Sequence, residues 1–155
     1  MKTQKTILAA GVLMMLVFQL SGCAGAPAKD LESFHFSYST GNMMNASVSY
    51  DLSFENGVYT ATVKPNLVPE EEAVVCVVEE SFVRELEAFL QEMRVERWNG
   101  FRRVNKRVLD GQSFRFSYRT REGKNVSASG YMSWPRKYKE VKSGIESIFG
   151  KLLQE

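Results

Sequence analysis

The chain has 155 residues, of which 44% are hydrophobic and 25% charged, a composition typical of one folded domain with its own core. The formal net charge is +2, and Lys2 and Lys5 at the start of the chain account for it. The remainder is electrically balanced. Overall charge therefore gives no support for a nucleic acid as partner.

The chain begins like a secretory signal peptide. Two lysines precede an apolar run, Ile7–Leu20, that is interrupted only by Gln19, and a charged start followed by a short apolar segment is typical of export signals. The run is shorter than the roughly 20 residues that a membrane-spanning helix needs. A permanent transmembrane helix is therefore the weaker interpretation.

The apolar run ends in Leu20-Ser21-Gly22-Cys23, which resembles a lipobox, the site of the lipoprotein signal peptidase. The resemblance implies cleavage before Cys23 and diacylglycerol, with acyl groups such as palmitate, on its sulfur. The alternative is an ordinary signal peptide with a chance cysteine. Two acyl chains anchor a protein stably, whereas one binds reversibly. We expect a signal in residues 1–22, a tether of at most about 25 Å in residues 23–30 and one domain in residues 31–155.

Polar and apolar side chains alternate in residues 45–54, which predicts a half-buried strand. Asn56-Gly57 follows, and this pair favours a two-residue hairpin turn because both positions accept positive φ. Such a turn places apolar residues opposite one another on a single face. The predicted cross-strand pairs are Phe54/Tyr59, Leu52/Ala61 and Tyr50/Val63.

An aromatic strand pattern occurs twice: residues 33–40 resemble residues 113–120, and residues 45–49 resemble residues 125–129. An old duplication and a shared local geometry both explain the repeat. Either one predicts two hairpins with aromatic faces in one antiparallel sheet. A five-residue loop in each hairpin predicts the pairs Tyr38/Ala46, Phe36/Val48, Tyr118/Val126 and Phe116/Ala128.

Two amphipathic helices are predicted to cover the sheet, in residues 80–93 and from near Pro135 to Leu153, because apolar side chains recur there at helical spacing. The continuous apolar run Ala73–Val78 predicts a buried strand with Cys76 as an inert, unpaired thiol. The expected fold class is α+β, in the order β-β-β-β-α-β-β-α, with an antiparallel sheet of about six strands.

The sequence lacks the motifs of common enzyme classes. His35 is the single histidine, and neither a second histidine nor a cysteine pair is present to complete a zinc site. There is no Gly-x-Ser-x-Gly turn and no glycine-rich phosphate loop. We therefore expect no metal, no cofactor and no catalysis, with a hydrolase as the less favoured alternative.

One segment, which we name the basic loop, holds four cations within six residues: Arg102, Arg103, Lys106 and Arg107. A cation near an anionic membrane contributes about 1 kcal/mol, so the loop, with Trp98 and Phe101 beside it, is a candidate binding site. The alternative is a solvated loop that compensates the acidic first half of the chain, residues 30–96.

The aromatic residues Trp98, Phe101, Tyr131 and Trp134 lie near predicted strand and helix ends. Exposed rings of this kind form ligand or partner surfaces. The alternative is that they close the end of a small core.

Four segments together resemble a group of small lipoproteins from Gram-positive anaerobes: Trp98-Asn99-Gly100-Phe101, Leu109-Asp110-Gly111-x-Ser113-Phe114, Ser127-Ala128-Ser129-Gly130-Tyr131 and Trp134-Pro135-x-x-Tyr138. The resemblance extends over nearly the whole predicted domain. It implies a host with a single membrane, and hence a protein on the outer face of the cell membrane. It brings no catalytic residues with it.

These features favour a membrane-anchored, extracytoplasmic binding or accessory module without catalysis. The expected partners are the membrane, through the lipid on Cys23, and a protein, a peptide or an anionic envelope polymer. The second partner would bind at the basic loop or on the polar face of the sheet. An envelope structural or assembly factor is the alternative.

Overall fold

The computed structural model describes residues 25–39, 47–64, 73–108 and 111–154. These contain seven strands, two helices and two 3-10 segments, Val95–Trp98 and Lys151–Leu153. The strands and helices are β1 Leu31–Ser39, β2 Ser47–Glu55, β3 Val58–Lys64, β4 Val74–Val78, α1 Glu80–Met93, β5 Arg102–Val104, β6 Ser113–Thr120, β7 Asn125–Tyr131 and α2 Tyr138–Gly150.

The fold is α+β, as predicted, with one sheet in the order β4-β3-β2-β1-β6-β7-β5. The prediction of about six antiparallel strands needs correction, because the sheet has seven strands and β5 pairs with β7 in parallel. The additional strand comes from the basic loop. Gly100 N donates to Ser127 O and Ser129 N donates to Phe101 O, so backbone bonds hold this segment along β7. A three-residue strand without alternation leaves no periodic signal in a sequence.

The hairpin around Asn56-Gly57 has the predicted register, with Phe54 opposite Tyr59, and the pairs Leu52/Ala61 and Tyr50/Val63 follow from it. Both turn residues have positive φ, 53° at Asn56 and 82° at Gly57. These values are those of a type I′ turn, whose twist matches that of the flanking strands. The two-residue turn fixes the register of the whole hairpin.

The two repeated hairpins differ in register. In the second, Tyr118 pairs with Val126 and Phe116 with Ala128, as predicted. In the first, the predicted register was wrong by two residues, since Tyr38 pairs with Val48 and Phe36 with Tyr50. The connection between β1 and β2 is longer than the five-residue loop that the prediction assumed. A shift by two keeps every side chain on its own face, so the apolar pattern cannot detect it.

The core lies between one face of the sheet and the two helices. Its centre is formed where the repeated hairpins meet, because β1 and β6 are neighbours and Phe36 pairs with Phe116. Phe34 on β1 and Phe149 on α2 stack with ring centroids 5.9 Å apart. All four rings are at most 2% exposed, so the aromatic repeat contributes large, fully buried side chains to the core.

The helices follow the predicted amphipathic stripes. Helix α1 has the predicted bounds and buries Val83, Leu86 and Leu90. Helix α2 begins at Tyr138, three residues after the predicted start near Pro135. The delay arises at Lys137, whose φ of 61° is left-handed and cannot be part of a helix.

The chain enters the domain earlier than predicted. Residues 25–30 were expected to be part of a tether, yet Ala28 is 1% exposed and Gly25 N donates to Glu96 O at 2.8 Å. The carbonyls of Ala26 and Ala28 accept hydrogen bonds from side chains of β6 and α1. This segment is therefore part of the folded unit. The predicted signal, the lipobox and Cys23 lie outside the described residues.

The strand that contains Cys76 is at the edge of the sheet, which corrects the prediction of a buried strand. Cys76 is free and half-buried, while Val75 and Val77 are 62% and 76% exposed. Only one face of β4 meets the core, so a continuous apolar run here has one apolar face in solvent. None of the helices in the described ranges has the length and hydropathy needed to cross a membrane.

Candidate functional site

The two aromatic residues predicted beside the basic loop, Trp98 and Phe101, differ in burial. Trp98 is only 4% exposed, and its indole Nε1 donates to the carbonyl of Arg136 at 3.1 Å. A buried indole N–H needs such an acceptor. Phe101 is half-buried, and the guanidinium of Arg103 lies over its ring at 5.4 Å from the centroid. Trp98 thus closes the core, whereas Phe101 and Arg103 face outward.

The four cations of the basic loop do not act as one cluster. All are exposed, and Arg103 lines a groove whose lining does not include the other three. Arg102 lies on the edge strand β5, where charged side chains commonly protect a sheet from pairing with other chains. Lys106 and Arg107 follow β5 in a turn, in which Arg107 N donates to the side chain of Asn105. Both side chains are exposed, and they line neither of the two grooves described below.

A groove of about 500 Å³ lies where the 3-10 segment Val95–Trp98 meets the start of α2. We name it the basic-aromatic groove. Its lining residues are Met93, Arg94, Arg97, Trp98, Phe101, Arg103, Trp134, Pro135, Arg136 and Lys137.

The groove has five cationic side chains and no acidic one among its lining residues. Arg94 approaches the half-buried Glu96 at 3.5 Å. Within the described ranges, the other four cations form no ion pair with a carboxylate. Clustered cations of this kind, on a low-dielectric wall, focus a positive potential that attracts anions.

Elsewhere, the charges of the acidic first half and the basic second half of the chain compensate each other in part. Three ion pairs join the acidic first half to the basic second half. They are Glu32–Arg119 at 2.8 Å, Asp30–Arg121 at 3.6 Å and Glu85–Lys151 at 2.5 Å. None of these uses a groove cation, so the groove remains positive after the compensation.

A second groove, of about 540 Å³, begins on the other side of Trp134. It shares Trp134, Pro135 and Lys137 with the first. Trp134 is 36% exposed and stacks on Tyr138 with centroids 4.6 Å apart. Two concave surfaces therefore share one semi-exposed ring.

The second groove contains a tight polar contact at Tyr38. The Tyr38 hydroxyl donates to Glu146 at 2.6 Å, and the Lys142 ammonium lies 2.9 Å from the same carboxylate and 4.1 Å from the centroid of the Tyr38 ring. Burial, with the hydrogen bond to Glu146, raises the pKa of Tyr38 well above its usual 10. Burial likewise raises the pKa of Tyr138. The Tyr38 hydroxyl therefore stays protonated as the donor to Glu146.

On the opposite, polar face of the sheet, His35 is joined to an acid and a serine. Its Nδ1 lies 2.6 Å from Asp51 Oδ1, and its Nε2 lies 3.0 Å from Ser37 Oγ. This connectivity is that of a Ser-His-Asp triad, which also requires N–H donors for an oxyanion.

The surroundings of this His35 array do not provide those donors. Ser37 pairs with Ser49 on one side and with Arg115 on the other, so the backbone around it is engaged in the sheet. His35 and Asp51 are more than a third exposed on an open surface. The array is a surface hydrogen-bond chain that orients His35. Among the residues that the structure describes, no group of three or more His, Cys, Asp or Glu is placed to hold a metal ion.

The sequence reasoning found Trp98, Phe101 and Arg103 but missed most of the groove's charge. Arg94 and Arg97 are one 3-10 turn apart, and Arg136 and Lys137 come directly after Trp134-Pro135. No run of cations marks these positions, since the fold joins two separate segments. A pair of arginines three residues apart beside Trp98 is the one local signal that could have indicated them.

The chain enters the domain beside this groove. Gly25 N bonds to Glu96 O, and Arg97 is the next residue, so its Cα is within roughly 6 Å of that nitrogen. Cys23 precedes Gly25 by two residues, which span at most about 7 Å.

The chain was also compared with known proteins. No protein-family model matches it, and a search of curated proteins found no match either.

Proposed function

We propose that this protein is a lipid-anchored, non-catalytic binding module on the outer face of a cell membrane, and that its basic-aromatic groove binds anionic headgroups at that surface. The observation that carries the proposal is the position of the groove next to the point of chain entry at Gly25. The resemblance of the first 23 residues to a lipoprotein signal supplies the anchor, and the resemblance of the domain to lipoproteins of single-membrane hosts supplies the location.

The position of the anchor explains why the groove would meet lipid. An acyl-modified Cys23 holds Gly25 within about 7 Å of the anchored residue, and Gly25 is bonded to the 3-10 segment that carries Arg97. Electrostatic attraction to anionic lipids extends about one Debye length, roughly 8–10 Å at physiological salt. The groove cations closest to the anchor are thus within reach of the headgroups.

The chemistry of the groove also suits phosphate. Arginine guanidinium groups donate paired hydrogen bonds to phosphate oxygens, and Arg97 and Arg136 lack a competing carboxylate among the described residues. Trp134, semi-exposed between the two grooves, is of the residue type that lies at membrane interfaces with one apolar and one hydrated side. Cations around an exposed indole are typical of an interfacial binding surface.

Vesicle co-sedimentation tests the proposal without the help of the anchor. The chain without residues 1–22 and with Cys23→Ser is mixed with phosphatidylglycerol vesicles or with neutral phosphatidylcholine vesicles. We expect binding to the anionic vesicles alone, weakened when salt is raised from about 0.05 to about 0.5 M because exposed charges are then screened. The double variant Arg97→Glu/Arg103→Glu should bind about tenfold or more weakly, since each cation contributes about 1 kcal/mol.

A matched variant separates the groove from the basic loop. Lys106→Glu/Arg107→Glu changes the charge by the same amount at exposed positions that line neither groove, and we expect it to retain most of the binding. Equal losses in the two variants would contradict a defined site. Soluble inorganic polyphosphate serves as competitor: if it binds while vesicles do not, the ligand is an anionic polymer and the headgroup proposal is wrong.

A further inference from the structure

The two edges of the sheet are built differently. The edge strand β5 carries two exposed arginines, and charge is a common protection against edge-to-edge pairing. The other edge strand, β4, has the sequence Val-Val-Cys-Val-Val and no charged side chain. No strand in the described ranges pairs with its outer side. An uncharged apolar edge of this kind is a template for another strand.

The hairpin turn determines which backbone groups β4 presents. In the type I′ turn at Asn56-Gly57, the carbonyl of Glu55 accepts from Val58 N–H, which makes Glu55/Val58 a hydrogen-bonded pair. Hydrogen-bonded and non-hydrogen-bonded pairs alternate along antiparallel strands. The next residue, Tyr59, therefore directs its backbone groups to β4, as do Ala61 and Val63 beyond it.

The pairing of β3 with β4 determines which residues of β4 direct their backbone groups toward β3. Val78, Cys76 and Val74 lie opposite Tyr59, Ala61 and Val63 respectively. These three residues of β4 thus direct their N–H and C=O groups inward to β3. Val75 and Val77 direct theirs away from the sheet, and their side chains are also the most exposed of the strand.

The sequence of β4 reads the same in both directions around Cys76, so a two-fold axis at that residue would place like residues opposite each other along the whole strand. We propose that β4 pairs antiparallel with β4 of a second copy about this axis, so that the two sheets become one. In this register Val75 lies opposite Val77 of the partner subunit, in a hydrogen-bonded pair. All the outward backbone groups of the strand then have partners, and each valine faces a valine.

Apolar side chains border β4 on both faces, as an interface there requires. On the polar face of the sheet, Val58 adds to the exposed valines and is itself 45% exposed. On the helix face, the 3-10 segment Lys151–Leu153 lies against β4, with Leu153 51% exposed. A two-fold axis normal to the sheet keeps the helices of both copies on one side. The apolar borders of the two subunits then meet along the junction.

In the proposed register, disulfide cross-linking at Cys76 reports whether the dimer forms. Its backbone groups point inward to β3, so Cys76 and Cys76 of the partner subunit form a non-hydrogen-bonded pair with Cα atoms about 4.5 Å apart. That separation is within the range of roughly 4.4–6.8 Å that a disulfide bridges. Added diamide joins the two thiols in one S–S bond and takes up both protons and both electrons as its hydrazine. The bond is a probe and no part of the proposed dimer.

The test treats membranes that contain the full lipoprotein with diamide and follows the chain on non-reducing gels. We expect a cross-linked dimer in the parent protein and none in Cys76→Ser. The variant Val77→Lys keeps the thiol but puts a charge on the edge, and it should reduce the dimer to the level of Cys76→Ser. Val104→Lys, which changes an exposed valine on the opposite edge strand β5, is the matched control and should preserve the cross-link.

A cysteine moved to position 75 tests the proposed register of the two β4 strands. With Cys76→Ser in place, a thiol at Val75→Cys lies diagonal to its own copy, about 7–8 Å away, and should cross-link much less than Cys76. A dimer band that is insensitive to Val77→Lys would overturn the proposal, as would efficient self-cross-linking at position 75. A cross-link from Cys76 to a different protein would replace the second copy with a foreign strand, and a chain that stays monomeric in every arm would remove the interface altogether.

Discussion

The ring of Phe89 on α1 lies directly against the backbone of Gly144 on α2. A Cβ at position 144 would be 2.0 Å from Phe89 Cζ, closer than any real contact. The absence of a side chain at Gly144 therefore sets the distance between the two helices. The helical propensity that a glycine loses in mid-helix, about 1 kcal/mol relative to alanine, is the cost of this close packing.

Gly144→Ala should destabilise the domain by about 1–3 kcal/mol, because overpacking outweighs the gain in helix propensity. Gly150→Ala is the matched control in the same helix. Nothing lies within 4 Å of a Cβ added at position 150, so the stability of the Gly150→Ala protein should be unchanged or slightly raised. Urea unfolding monitored by circular dichroism measures both. Equal effects of the two substitutions would mean that the helices are not in close contact at Gly144.

Buried tyrosines predict a loss of stability in alkaline solution. Burial raises the pKa of Tyr38, Tyr118 and Tyr138 above their usual 10. Above that pH the unfolded chain loses phenolic protons that the folded chain retains, so the free energy of unfolding falls as pH rises. The contribution is fully present below about pH 10. Urea unfolding at about pH 8 and about pH 11 measures the difference.

Tyr38→Phe serves as the control for the alkaline effect. It removes one of the perturbed hydroxyls together with its hydrogen bond to Glu146. We expect a less stable protein at neutral pH, with a smaller further loss between the two pH values. Tyrosinate absorbance that develops fully while the far-ultraviolet circular dichroism stays native would contradict the burial of these rings.

The two tryptophans should differ in access to solvent. Trp98 is 4% exposed, whereas Trp134 is 36% exposed. Acrylamide should therefore quench the fluorescence of Trp134 far more than that of Trp98, as read from Trp98→Phe and Trp134→Phe proteins respectively. We also expect Trp98→Phe to cost about 1–3 kcal/mol, because it removes a buried N–H bond to the carbonyl of Arg136. Similar quenching in both variants would show that Trp98 does not close the core.

Features of the fold that a few neighbouring residues determine could be predicted from the sequence. Features that depend on contacts between distant segments could not. The register of β2 and β3 was predictable because one turn, Asn56-Gly57, determines it. The register of β1 and β2 depends on a longer connection, and a two-residue shift moves no side chain to the other face. Strand β5 left no signal because three residues without alternation of polar and apolar side chains show no period.

The site was predictable in part for the same reason. Trp98, Phe101 and Arg103 are close in sequence and suggested a basic and aromatic surface. Arg136 and Lys137 are brought to it only by the packing of the 3-10 segment against the start of α2. The run that contains Cys76 suggested burial, since apolar composition alone does not distinguish an edge strand from an inner one.

We propose that the lipid anchor on Cys23 holds the basic-aromatic groove against the membrane. The most direct test is the depth of a fluorescent label in the lipidated protein, in nanodiscs that contain headgroup-quencher lipids. With Cys76→Ser as background, the label is placed at Arg97→Cys in the groove or at Val58→Cys on β3, near the opposite edge of the sheet. We expect strong lipid quenching at position 97 and little at position 58. Equal exposure of both labels to a water-soluble quencher, with no lipid quenching at 97, would contradict the proposal.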